Sequence, residues 1–298
     1  MAFLAREWRR MLGLIHCRAL PRMEFMNVLR GIFALVLPIV LTGVAQAQSL
    51  EVADRQTSKR LTAQQLLADP AARDVALARD PVLGRAMVYR ALPIPELLKG
   101  LSLGTEDYVE FTATDKFSIG VPVRLLLPKS SEGPKPFLAV ETREAKWPPI
   151  PDRGMETAAP FFLIWQDAKP GQISSEYWVY KLASLTVTDS PFKRWPALNV
   201  AEDVPATHPA RRGLDRYVAL CISCHRFNGA GEGEMGPDLA KPMNPVDYFQ
   251  PQAFRKFLRS SKSVRDWPGR KMPSFVEDVL SNEDMEALIA WLTYKARH

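Results

Sequence analysis

The sequence predicts a multidomain protein with a mixed α+β, β-rich N-terminal domain followed by an all-α domain. Three observations predict it. The 298 residues suffice for about two domains at ~100–200 residues each. Strand-like runs rich in β-branched and aromatic residues, punctuated by Pro, Gly and charged turns, crowd residues 71–198. Beyond Pro209 those runs stop and apolar residues recur at helical spacing.

The elements follow in order. Residues 1–47 read as an export signal. Arg30 precedes the apolar run Gly31–Val44, and Ala45-Gln46-Ala47 supplies an A-x-A cleavage site. Met23 and Met26 offer alternative starts just upstream, and cleavage leaves Gln48 first. An uncleaved membrane anchor is the competing reading, and Pro38, Thr42, Gln46 and Gln48 make the stretch a poor span. Residues 48–70 read as a polar lead-in to a β-rich domain over 48–190. Within it Val109–Ala113, Val121–Leu127, Phe137–Val140, Phe161–Trp165 and Leu182–Thr188 read as strands, and Ile94–Lys99 as a short helix. Lys146–Pro151 (KWPPIP) reads as a stiff connector, since each Pro fixes φ and restricts its predecessor. The Pro-rich stretch 191–209 reads as a linker. In the final domain, 210–298, the expected helices are Arg212–Cys221, Gln252–Ser260 and Asn282–Ala296. Ser281 caps the last one, with Asp284 as its capping-box partner.

Composition excludes several classes. With 47% hydrophobic and 24% charged residues the chain is neither collagenous nor disordered, and three cysteines exclude a disulfide-dense scaffold. The formal charge of +6 is a weak argument for nucleic acid. Residues 1–47 hold six basic and two acidic groups, so the charge falls to +2 without them. About −1 of that falls on residues 48–205 and +3 on 206–298.

The chemistry sits in Cys221-Ile222-Ser223-Cys224-His225. Two thiols one helical turn apart point the same way and add to the two vinyl groups of a haem, with the adjacent His under the iron; C-x-x-C-H reads as c-type haem attachment. A thioredoxin-like pair needs a βαβ context, absent from a helical stretch. A zinc site needs further Cys or His ligands; besides His225 the chain has only His16, His208 and His298. The second axial ligand is expected to be Met or His. Met235, Met243, Met272 and Met285 lie in the helical region. Met272, in Arg270-Lys271-Met272-Pro273, is the choice because Pro273 stiffens the loop that holds its sulfur. Met285 sits on an apolar helix face where Met fills core, and His208, in the linker, is the bis-His runner-up.

Residues 206–298 resemble a class I c-type cytochrome. The resemblance rests on Gly213-Leu214-Asp215-Arg216-Tyr217 in the first helix, then C-x-x-C-H, Gly236-Pro237-Asp238-Leu239, Lys271-Met272-Pro273 and a final amphipathic helix with Trp291. It implies one covalent haem c, packing of the first helix on the last, and a hydrogen bond from His225 to the Pro237 carbonyl that tunes the iron. Residues 87–190 are distantly similar to the molybdopterin-binding domain of sulfite-oxidase-type enzymes, through Tyr89–Leu98, Val109–Phe117, Ile119–Val123, Pro160–Trp165 and Trp178–Val187. That class holds its metal through a protein cysteine, and this region has neither Cys nor His, so a molybdenum enzyme is not expected. Glu141, Arg143, Glu144 and Lys146 form a charged cluster before the Pro run, and Trp147, Trp165, Tyr177 and Trp178 read as core.

The function expected is therefore a periplasmic monohaem electron carrier rather than a catalyst, its iron held by His225 and Met272. The N-terminal domain would dock a redox protein such as a periplasmic dehydrogenase or terminal oxidase. Nucleic acid is not an expected partner, and a membrane is one only if the signal stays uncleaved. Two alternatives stand: an oxidoreductase whose N-terminal domain binds a substrate, and a five-coordinate haem peroxidase or sensor. Seven basic residues at 255–271 against one acid, Asp266, suggest a patch that steers an acidic partner.

Overall fold

The computed structural model describes residues 48–298, so the expected signal and its cleavage site lie outside the described residues. Among the described residues nine strands form two sheets: β1 (Ser49–Ala53), β2 (Ser58–Thr62), β3 (Arg73–Leu77), β4 (Met87–Pro93), β5 (Tyr108–Ala113), β6 (Ser118–Pro122), β7 (Lys135–Val140), β8 (Phe161–Gln166) and β9 (Leu182–Thr188). The first sheet has the order β2-β1-β9-β5-β6, the second β3-β4-β7-β8. All pairs are antiparallel except β1 with β9. Three short helices decorate the sheets: α1 (Ala63–Leu67), α2 (Ile94–Leu97) and α3 (Val123–Leu126). Then come α4 (Pro191–Arg194), α5 (Pro209–Leu220), α6 (Pro245–Tyr248), α7 (Pro251–Arg259), α8 (Ser261–Val264) and α9 (Asn282–Lys295).

The apolar runs of β7 and β8 are continuous because both faces of that sheet are covered. Alternation sorts them: Leu138, Val140, Phe161, Leu163 and Trp165 enter the main core, while Phe137, Ala139, Phe162 and Ile164 face a second core closed by Tyr89, Trp147 and Ile150. The Lys146–Pro151 connector is thus a lid on the second core. The charged cluster before it anchors that lid, for the Glu141 carboxylate accepts from the Trp147 backbone N–H at 3.0 Å and pairs with Lys146 at 2.6 Å.

Three local expectations are corrected. Residues 48–70 are not a loose lead-in but β1, β2 and α1, with Leu50 and Val52 fully buried. The run 121–127 turns at Pro122 from strand into α3, because Leu126 must reach the core on a helical spacing. Asp284 does not complete a capping box: Ser281 Oγ accepts from its N–H at 3.0 Å, but its carboxylate turns to Arg212 at 2.6 Å.

Residues 191–209 fold against the helices. Leu198 is fully buried and its carbonyl accepts from Trp291 Nε1 at 3.1 Å. Arg211 donates to the carbonyls of Ala201 and Val204 at 2.8 and 2.6 Å. Accordingly the described residues cluster as one compact unit. Its main core runs without a break from Ile173 and Tyr177 of the β part into Leu214, Leu220 and Ile222.

The helical part is organised by the crossing of α5 and α9. A Cβ at Gly213 would collide with the Ala287 carbonyl and the Trp291 side chain, so only glycine permits the approach. One turn on, Tyr217 and Trp291, both fully buried, stack with ring centroids 4.5 Å apart. Trp291→Ala removes this stack and is expected to cost about 3–5 kcal/mol, measured as a fall in the denaturant midpoint of unfolding.

Candidate haem-attachment site

Helix α5 delivers the C-x-x-C-H turn. The helical hydrogen bonding runs on past Leu220: Cys221 and Ile222 N–H both reach the Tyr217 carbonyl, and Cys224 and His225 N–H reach that of Cys221 at 3.0 and 2.8 Å. The two thiols are thereby held on one turn, half-buried, with no disulfide between them. Burial pushes the Cys221 thiol up to about 12 and raises Cys224 as well, so both stay protonated and resist oxidation.

His225 is fixed at both ends. Tyr217 Oη donates to its carbonyl at 2.9 Å. Its Nδ1 lies 2.8 Å from the Pro237 carbonyl. With Nδ1–H donated there, Nε2 is the ring atom left with a free lone pair. Burial lowers the pKa of the imidazole, the bond to Pro237 opposing in part, which favours the neutral, ligating form.

The loop from Arg226 to Ala240 wraps this turn. Gly236 N–H donates to the Cys224 carbonyl and Leu239 N–H to that of Arg226, each at 2.8 Å. A Cβ at Gly236 would overlap the His225 ring, and one at Gly233 would strike the backbone between Cys224 and His225. Asp238 ties the loop by accepting from the Asn228, Gly229 and Ala240 N–H groups, which hold its carboxyl below the usual range.

The remaining ligand candidates separate by position. His208 caps the far end of α5, its Nδ1 accepting from Ala210 N–H at 3.2 Å. Twelve residues of helix, about 18 Å at 1.5 Å per residue, separate it from Cys221. Met235 and Met243 are about half exposed, at 50% and 51%, and Met285 is buried in the face of α9. Met272 is half-buried and packs against the main core. Its carbonyl accepts from Arg270 at 3.0 Å, and Ser261 Oγ, itself buried, accepts from Arg270 at 3.0 Å.

Two adjacent thiols, a neutral imidazole with one nitrogen engaged, and glycines where any side chain would foul the ring fit a covalently attached haem. Among the described residues no group of three or more His, Cys, Asp and Glu could hold a metal ion by itself, so a zinc reading gains nothing. The class that this site fits is a c-type haem protein. The cytochrome c family model matches residues 210–294 and marks this segment as a cytochrome c domain, a match that implies covalently bound haem c and suggests haem-based electron transfer. A comparison with curated proteins gives no match. The sulfite-oxidase-like resemblance of residues 87–190 finds no support in these comparisons.

Sequence reading missed Gly233, Gly236 as a steric requirement, and the Tyr217 hydroxyl. The glycine spacing at 231, 233 and 236 was the available signal. Gly236→Ala is expected to displace the His225 ring and abolish its iron ligation, read as loss of the low-spin haem spectrum while the thioether-bound haem is retained. An unchanged low-spin spectrum would refute the steric account.

Proposed function

We propose that this chain is an exported, periplasmic monohaem cytochrome c that shuttles single electrons, with His225 and Met272 as axial ligands of the iron. The observation that carries the reading is the C-x-x-C-H turn with His225 Nδ1 held by the Pro237 carbonyl at 2.8 Å. When bound, the haem supplies an iron that exchanges one electron at a time. The chain's own residues do the rest. Cys221 and Cys224 tether, and Pro237 orients His225 and raises its basicity. Met272 would supply a soft sulfur donor to a bound haem iron, which would raise its potential. Arg270 and Ser261 hold the backbone that carries it.

The basic stretch 255–271 narrows as a docking surface. Arg255 pairs with Glu286 at 2.5 Å, Arg259 donates to the Phe275 carbonyl at 2.8 Å, and Arg270 is committed to the Met272 backbone. Lys256, Lys262, Arg265 and Lys271 are exposed, Lys262 lying 3.9 Å from Asp266, and Trp267 of the same stretch is 45% exposed. Exposed cations and an exposed aromatic in the stretch that leads into Met272 suit an acidic redox protein such as a dehydrogenase or terminal oxidase. Among the described residues no helix is long and apolar enough to cross a membrane. The β part lends structural support and partner contact.

Met272→Ala tests the ligand set. The expected result is loss of the sulfur-ligand absorbance band near the red end of the spectrum, a lower midpoint potential and new binding of carbon monoxide. A variant with the band and potential of the parent would reject Met272.

A further inference from the structure

The loop that leaves β8 is stiff for reasons local to its sequence. In Lys169-Pro170-Gly171-Gln172 the proline fixes one φ, Gly171 takes φ +72°, and the Gln172 N–H donates back to the Lys169 carbonyl at 3.0 Å. The Gln172 side chain closes the turn by accepting from the Lys169 N–H at 3.1 Å. Both flanks are fastened to the β part. Asp167 pairs with Lys135 of β7 at 2.7 Å, and Ile173 is buried in the main core.

This loop touches both elements that carry the candidate ligands. Ser174 Oγ donates at 2.6 Å to the Ala219 carbonyl of α5, two residues before Cys221. A Cβ on Gly171 would lie 2.5 Å from the Asp278 carbonyl, in the segment between Met272 and α9, so glycine is required by contact as well as by conformation. Three residues span at most ~10–11 Å, so the two contacts bridge a short gap. The segment at Asp278 is itself a braced body. Val279 and Leu280 N–H both donate to the Val276 carbonyl at 2.9 Å, and Arg259 donates to the carbonyls of Phe275 and Leu280. Pressure at Asp278 is therefore carried along 275–280 toward Met272, three residues before Phe275, rather than lost in a slack loop.

We propose that the loop after β8 is a strut between α5, which leads into His225, and the segment that follows Met272: Gly171 and Ser174 fix the spacing of the two ligand-bearing elements and so hold Met272 in place. This rests on the haem reading above, with Met272 as the sixth ligand. A loop that supplies a ligand opens more often when its backbone restraints weaken, and an added ligand then binds in proportion to the open fraction. α7 restrains the Met272 segment from within the haem domain, through Arg259 and the Leu258 carbonyl, which accepts from Phe275 N–H at 3.2 Å. The strut restrains it from the β part. Gly171 and Ser174 act through that segment and are positioning residues, not iron ligands. Ligation in the haem domain thus depends on a region that supplies no ligand.

The test is imidazole binding to the oxidised, haem-loaded full chain, read as loss of the sulfur-ligand band, beside amide hydrogen exchange over residues 273–281. Gly171→Ala is expected to bind imidazole about tenfold more tightly and to speed that exchange by a similar factor. Ser174→Ala, which removes only the tie to α5, should give about threefold in both and decides the matter if Gly171→Ala does not fold. Gly84→Ala is the control. Gly84 also has a positive φ, +68°, but a Cβ there meets no atom within 4 Å, so this variant should match the parent in both readouts. Imidazole affinity in Gly171→Ala and Ser174→Ala equal to that of Gly84→Ala overturns the proposal, even if exchange is faster. A chain that acquires no covalent haem defeats the haem reading instead. Exchange over 273–281 then still reports on the strut, and rates equal to the parent's in both strut variants would remove it as well.

Discussion

At position 213 helices α5 and α9 come so close that a methyl group would overlap the Ala287 carbonyl. The rest of the haem segment depends on that approach. It brings Tyr217 and Trp291 into a stack, with Phe227 4.9 Å from Trp291, and it sets the height at which α5 ends. The Tyr217 hydroxyl then holds the His225 carbonyl, and the turn that carries both thiols follows without freedom of its own. A larger residue at 213 would separate the helices and release the whole chain of contacts, from apolar packing to the aim of one imidazole.

The β part shares in this arrangement. A single core spans both parts, and polar contacts fix their seam. Arg194 binds Glu110 of β5 at 2.8 Å and also Glu232 of the loop that wraps the attachment turn. Two carboxylates facing one guanidinium raise the Glu232 carboxyl, burial being the larger cause and Glu110 the next. Ser174 and Trp291 complete the seam from opposite sides, through the Ala219 and Leu198 carbonyls. A part tied at so many points positions the site rather than tethering it.

The sequence was most legible where local chemistry dictates structure. The C-x-x-C-H spacing, the Ser281 cap and the helical period of α9 are written in neighbouring residues, and so is the strand alternation of β5 and β9. It was least legible where distant segments decide. The polar residues of 48–70 pair as β1 and β2 because β9, more than 120 residues on, supplies a partner that no local window contains. The Pro-rich 191–209 stretch reads locally as a linker and becomes ordered only because Trp291 and Arg211 bind its carbonyls. Three of the seven expected docking cations are spent on Glu286, Phe275 and Met272, contacts invisible from charge alone.

The central claim is that Cys221 and Cys224 are the covalent anchors of one haem. Intact-mass spectrometry of the full chain, purified from an exporting host and denatured before measurement, tests it most directly. The account predicts the polypeptide plus one haem with neither Cys221 nor Cys224 open to alkylation, and the mass of a haem-free chain when both are replaced by serine. A bare polypeptide mass with two reactive thiols, or a haem lost on denaturation, would contradict it.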